Sequence, residues 1–354
     1  MRPPTATGSA LATGAEPIVR APCARGAARP DLPDRVRRFP FPFPRDAYRY
    51  SANVEPAPAL QETAAGGWGW SMIDVDDRYR EELAERERII DGDPERCLAL
   101  PHMAEAVWDA IELCLGEMAR DMPEQFALER DGLARRWTNR LLGTETAFVL
   151  GDDDSLPVDP LRWLGSQIQE DVCLLDQRDG HLWLDAGLLT FAADWSLAFD
   201  LGMSFQQFHG PVPRAPAEGI FARAERFLMR LTPEQAYRRT NWTMTVDGRL
   251  DTCTELYPVW GPDRRAVTAE NAGDRAFLRV EVQHLARLPV SGAILFLIRT
   301  SMLPLREVAL VPEWARRARA VLAELPEDMA DYKGIVRYRD HVVAWLDAHA
   351  AGRA

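Results

Sequence analysis

In the stretch VCLLDQRDGHLWLDAG, two alternating apolar runs flank the dipeptide Asp179-Gly180. Asp-Gly readily takes the left-handed backbone that a two-residue hairpin turn requires, so the stretch reads as two adjacent antiparallel strands. Further strands are expected at 242–246, 278–285 and 293–300, the last so rich in Ile, Leu and Phe that it suits the middle of a sheet. Apolar residues at helical spacing predict helices over 76–90, 102–122, 160–169, 219–231, 312–325 and 335–349. A short helix capped by Asp194 is expected to end at Gly202, and TPEQ at 232–235 reads as a capping box for a further turn. Helices mixed with hairpin-linked strands predict an α+β fold, an antiparallel sheet with surrounding helices in one main domain.

That domain is expected over 39–325, opening on FPFP, whose prolines hold aromatic side chains on extended backbone. Residues 1–38, rich in Pro, Ala, Gly and Arg without apolar periodicity, read as a disordered extension, and 326–354 as a C-terminal helix. The longest apolar stretch is far short of the roughly 18 residues a membrane span needs, so no membrane partner is expected. A net charge of -12 argues against nucleic acid, because phosphate binding needs clustered positive charge. The five cysteines are widely separated, with no CxxC pair, an odd count and no secretory signal ahead of them, which suggests reduced thiols in a cytoplasmic protein.

Lys333 is the only lysine, and it follows no glycine-rich loop. P-loop nucleotide hydrolysis and Schiff-base chemistry therefore lack their key residue. GxSxG, HExxH and GxGxxG are absent too, which removes the anchors of serine hydrolases, zincins and dinucleotide folds. Of the six histidines, none lies closer to another than His341 does to His349, a poor supply for a multi-histidine metal site. A haem iron asks for less, since the porphyrin supplies four nitrogens and the protein a single imidazole. His209 stands out, with Phe205 and Phe208 before it and Gly210, Pro211 and Pro213 after it, a setting that holds an imidazole stiffly on a turn. On local physics alone such a residue is more often a hydrogen-bonded histidine than a ligand.

The ordered segments FPFP, SMIDVDDRY, IQEDVCLL, FHGPVP, RRTNW and LRVEVQHLARLPVSGAILFLIRTSMLPL, from about Phe39 to about Glu324, resemble the haem-bearing α subunit of haem-dependent oxidative N-demethylases. The resemblance implies a PAS-like domain holding haem b, an iron cofactor, and oxidising a small amine with O2. It implies His209 as the axial ligand, the acidic pair Glu170 and Asp171 near the amine, and Arg239, Arg279 and Arg299 among residues that bind haem propionates. Asn241, Trp242, Glu281 and Gln283 match its motifs as well. For the acids, a solvated face is the alternative; for the arginines, structural ion pairs are. Val282 and His284 stand where the family pattern has arginine and threonine, which points to a specialised amine. With neither a dinucleotide motif nor a four-cysteine cluster here, electrons are expected from a separate iron-sulfur flavoprotein reductase. A haem-based sensor module and a haem-free scaffold subunit are the competing readings.

Overall fold

The computed structural model describes residues 29–49, 53–214 and 219–350. Twelve strands form three sheets among the described residues. β2 (Gln61–Glu62) pairs with β3 (Gly67–Trp68), and β5 (Phe126–Asp131), β6 (Ala134–Asn139) and β7 (Thr144–Val149) form a meander. The main sheet contains β1 (Glu55–Ala57), β4 (Cys97–Ala99), β8 (Asp171–Arg178), β9 (His181–Leu188), β10 (Ala236–Val246), β11 (Ala276–Arg287) and β12 (Ile294–Pro304), in the order β1-β10-β11-β12-β8-β9-β4 and antiparallel throughout. Counted along the chain from β8, its five longest strands lie across the sheet as 2-1-5-4-3.

The Asp179-Gly180 hairpin is present. Both residues have positive φ, 54° and 75°, and Arg178 faces His181 across the turn. Further along this hairpin the register slips so that Asp185 has no partner on β8. The extra residue switches β9 between faces: Leu182 and Leu184 pack on one side of the sheet, Ala186 and Leu188 on the other.

Strand alternation sends two different environments to the two faces. Ile294 and Ile298 of β12, Leu285 of β11 and Cys173 and Leu175 of β8 join the apolar cluster beneath the connection between β9 and β10. Leu295 and Leu297, with Val172 and Leu174, join the opposite cluster against the helix Ala104–Asp121. Farther along that opposite face, Met244, Leu278, Val280 and Leu303 pack with Trp314, Tyr338 and Leu346 from the C-terminal helices.

Several boundaries differ from the sequence expectation for identifiable reasons. β10 starts six residues before 242, its early part being an edge strand covered only by short β1, with too many polar residues to show alternation. The short helix Leu197–Asp200 is capped by Ser196, whose Oγ accepts from Phe199 N at 3.2 Å; Asp194 instead takes positive φ and pairs with Arg264. Thr232–Gln235 is a turn leading into β10 rather than a helical turn. The stretch 326–350 holds two helices, Glu327–Tyr332 and Arg339–Ala350. Of the proposed extension, 1–28 lies outside the described residues, while Leu32 and Val36 are buried in the core together with Phe39 and Phe43. The meander was missed: Asp131-Gly132 repeats the dipeptide of the first hairpin, but here Asp131 pairs with Ala134 and the turn is made by Gly132 and Leu133.

One buried cation ties these parts together. Arg86, fully enclosed on the helix Tyr79–Gly92, donates to the carbonyls of Gly165 and Gln169, each at 3.0 Å, to that of Ile168, to Thr190 Oγ1 at 3.0 Å and to Asp171 Oδ1 at 3.1 Å. Asp171 also accepts from Thr190 N at 3.0 Å and Phe191 N at 2.8 Å. Replacing Arg86 by Met would strand a buried carboxylate and three carbonyls. The expected loss, measured by urea unfolding, is about 3–5 kcal/mol, the usual range for breaking a buried pair from one side; a loss near zero would contradict the clamp.

Candidate functional site

His209 closes the short helix Phe205–Phe208. The helix begins with a reciprocal capping box in which Ser204 and Gln207 satisfy one another's backbone N–H groups, the Ser204 N to Gln207 Oε1 bond being 2.8 Å. It is held to the sheet by Glu225, a buried acid on the helix Ile220–Leu228, which accepts from Leu182 N at 3.0 Å and Gln206 Nε2 at 2.6 Å. The residue carrying the imidazole is thus fixed by its own helix cap and by a carboxylate from the next helix.

The ring is sandwiched by phenylalanines, with centroids 4.3 Å from Phe205, 4.5 Å from Phe208 and 4.4 Å from Phe221. Nδ1 lies 2.8 Å from the Phe205 carbonyl, which can only accept, so Nδ1 carries the proton and Nε2 keeps its lone pair. Burial, joined by a smaller push from the nearby Arg239 charge, lowers the imidazole from 6.5 to about 4. The result is a neutral imidazole with one oriented, basic nitrogen. Its Nδ1–H is tied to a carbonyl in the way metal-bound histidines are held.

Along the same face of the sheet, the apolar floor gives way to polar residues of β10 and β11. Arg239 donates to Gln283 Oε1 at 2.9 Å, and Gln283 in turn donates to Glu281 Oε2 at 2.9 Å. Asn241 Nδ2 lies 3.4 Å from that same oxygen. Arg279 sits fully buried with its Nε 3.6 Å from Glu281 Oε1, while its other nitrogens bond the carbonyls of Leu250, at 2.6 Å, and Phe191. Lys333, near Glu281 and Arg239, donates to the Trp242 carbonyl at 2.6 Å; burial lowers its ammonium to about 8. His209, Arg239 and Arg279 are therefore brought to one face, apolar at one end and cationic at the other.

Glu170 and Arg299 are on the opposite face. Arg299 is buried between Glu82, at 2.9 Å, and Asp76, at 2.6 Å. Glu170 is fully buried beside it, one oxygen accepting from Asp74 N at 2.9 Å and the other without a partner, and burial raises its carboxyl to about 7. Asp171 spends its acceptors on Arg86, Thr190 and Phe191. Val282 and His284 also face away from His209; both nitrogens of His284 are buried without partners, and burial lowers that ring to about 3. Among the described residues one cluster has metal-ligand composition, His102 with Asp176 and Asp185, but Arg178 is bound to both carboxylates. Glu225 escaped the sequence reading, and Lys333 entered it only as the sole lysine, set aside for want of a glycine-rich loop; SFQQ at 204–207, a capping box directly ahead of His209, was the available local signal.

An imidazole with a free Nε2, an apolar surround and cations at the far end suits a flat apolar macrocycle that bears carboxylates and takes one axial ligand. The family model described as "Haem-dependent oxidative N-demethylase, alpha subunit-like" matches residues 67–343, most of the chain. No helix among the described residues is long and apolar enough to cross a membrane.

Because its pKa in the folded state lies below that of an unfolded histidine, His209 contributes stability that is complete above about pH 6.5 and is lost as pH falls through about 4. The cofactor-free protein should lose stability over that window, and His209→Asn should lose less. Urea unfolding at stepped pH measures this; parallel curves for the two proteins would contradict a half-buried, neutral imidazole.

Proposed function

The chain belongs to the haem-dependent oxidative N-demethylase, alpha subunit-like family, and from that membership we propose that it binds haem b through His209 Nε2 and oxidatively removes a methyl group from an amine. The observation that carries this reading is the His209 hydrogen bond to the Phe205 carbonyl, which leaves the outward nitrogen unprotonated. The strand order 2-1-5-4-3, with the helices bearing His209 inserted between the second and third strands, supports the PAS-like description.

In the proposed reaction an N-methylamine, O2, two electrons and two protons give the demethylated amine, formaldehyde and water. Haem, when bound, supplies the binding and activation of O2. The protein's part is placement. Phe205, Phe208 and Phe221 fix the ring of His209 between them, and Glu225 keeps its helix on the sheet. Arg239 and Arg279 are the proposed partners of the propionates. Glu281, sharing its carboxylate with Gln283 and Asn241, is the acid on this face best placed to hold a protonated amine. Glu170 and Arg299 act instead as positioning residues beneath the sheet, and Asp171 as the positioning partner of Arg86 at the start of β8. The family's α-subunit character agrees with electrons arriving from a separate iron-sulfur flavoprotein, and the four described cysteines, all free, agree with a cytoplasmic setting.

Protein produced with a haem precursor should contain iron and show a Soret band. His209→Ala should lose the haem or change its ferrous spectrum, and Glu225→Ala should lower haem retention by loosening the same helix. Formaldehyde should form only with an N-methylamine, O2 and a reductant together. A wild-type protein without iron overturns the haem assignment, and an unchanged ferrous spectrum in His209→Ala overturns the ligand. Haem without formaldehyde from any amine favours a sensor.

A further inference from the structure

A cleft of about 430 Å³ opens on the face of the sheet away from His209, over Thr240. Thr240 adjoins Arg239 and Asn241 in β10, and strand alternation turns it to the other side. The volume lies within the roughly 300–1,000 Å³ usual for small-molecule sites. Its walls come from the FPFP segment, from β2 and β3, and from the helix Pro312–Glu324. They are aromatic: Phe41 lies flat on Trp314, with centroids 4.7 Å apart and planes 4° from parallel, and Phe43 and Trp68 complete the lining.

The charges on the lining are unequal. Glu55, Glu62 and Glu313 face one cation, Arg317. Arg317 is engaged by Glu313 at 2.9 Å, and Glu55 is engaged by Arg238 at 2.7 Å and by Gln61 at 2.8 Å. The side chain of Glu62 is exposed at the rim and makes no hydrogen bond or ion pair among the described residues. Trp68 already has a guanidinium over its ring, that of Arg238 at 4.5 Å. An anion entering here would meet an unbalanced carboxylate. A neutral apolar molecule would leave that carboxylate unused, whereas an ammonium with an apolar body satisfies both walls and rim.

We propose that this cleft is a second ligand site, for an organic ammonium ion, in which Glu62 supplies the counter-charge and Trp68 and Phe41 the walls. It is separate from the haem reading, since none of its residues touches His209. In the context of the proposed amine oxidation it would let the protein hold an amine at a place remote from the reacting one.

The test uses the full-length chain and benzyltrimethylammonium, a fixed cation, with benzyl alcohol and benzoate as neutral and anionic counterparts. Isothermal titration should show saturable one-to-one binding of the cation, with both counterparts much weaker. Glu62→Gln should weaken it about fivefold, the scale of one exposed ion pair, and Glu62→Lys should weaken it further. Glu62 lies at an exposed rim, and unchanged circular dichroism would confirm that both variants fold. His209→Ala should leave the affinity as it was, with or without haem. No saturable binding by the full chain, equal binding by Glu62→Lys, or loss of binding in His209→Ala would each overturn the proposal, the last by moving the probe to the His209 face.

Discussion

The contact on which the rest of the architecture depends is the buried pair of Arg86 and Asp171. Asp171 opens β8, the strand beside which β9 and β12 are both laid. By gathering the carbonyls of Gly165, Ile168 and Gln169, the guanidinium also ends the preceding helix and sets the angle at which the chain enters the sheet. Asp171 reaches the other end of the hairpin through Thr190 and Phe191, and the Phe191 carbonyl is a partner of Arg279 in β11. A single chain of charged hydrogen bonds thus runs from a helix on one face to the polar half of the other. Removing two charges from water is costly, so this pair serves less to add net stability than to exclude other registers.

What could be read from the sequence was what local chemistry decides. The Asp179-Gly180 turn, the apolar stripe of the helix Ala104–Asp121 and the Ile- and Leu-rich β12 each carry their signal within a few residues, and each is where it was expected. The face on which a side chain ends up is a different kind of information. Arg299 and Arg279 look alike in sequence, both being arginines in long strands. One is sealed between Asp76 and Glu82, and the other lies on the face that carries His209. Their separation depends on strand pairing over long sequence distances, and for β9 on the one-residue slip at Asp185. Glu225 was hidden for a related reason, since an acid inside an amphipathic helix reads as solvated until the helix is docked.

The two faces divide the work. On one, a neutral imidazole and an arginine-bearing polar strip frame an apolar floor, the frame in which the proposed haem would sit. On the other, acids and arginines neutralise one another in a buried layer. There Val282 and His284, the departures from the family pattern, are packed away from the imidazole. Whatever these two residues change, they change through the packing beneath the sheet.

His209 has a consequence that reaches past its own chemistry. The carbonyl that accepts from its Nδ1 belongs to Phe205, the first residue of a four-residue helix, so the ring that would face a metal also closes the helical turn that presents it. Coordination at Nε2 would draw electron density from the ring, make Nδ1–H a stronger donor and tighten that turn. On the proposed reading, cofactor capture and local folding would be one equilibrium seen from two sides, the segment being most ordered when Nε2 is engaged.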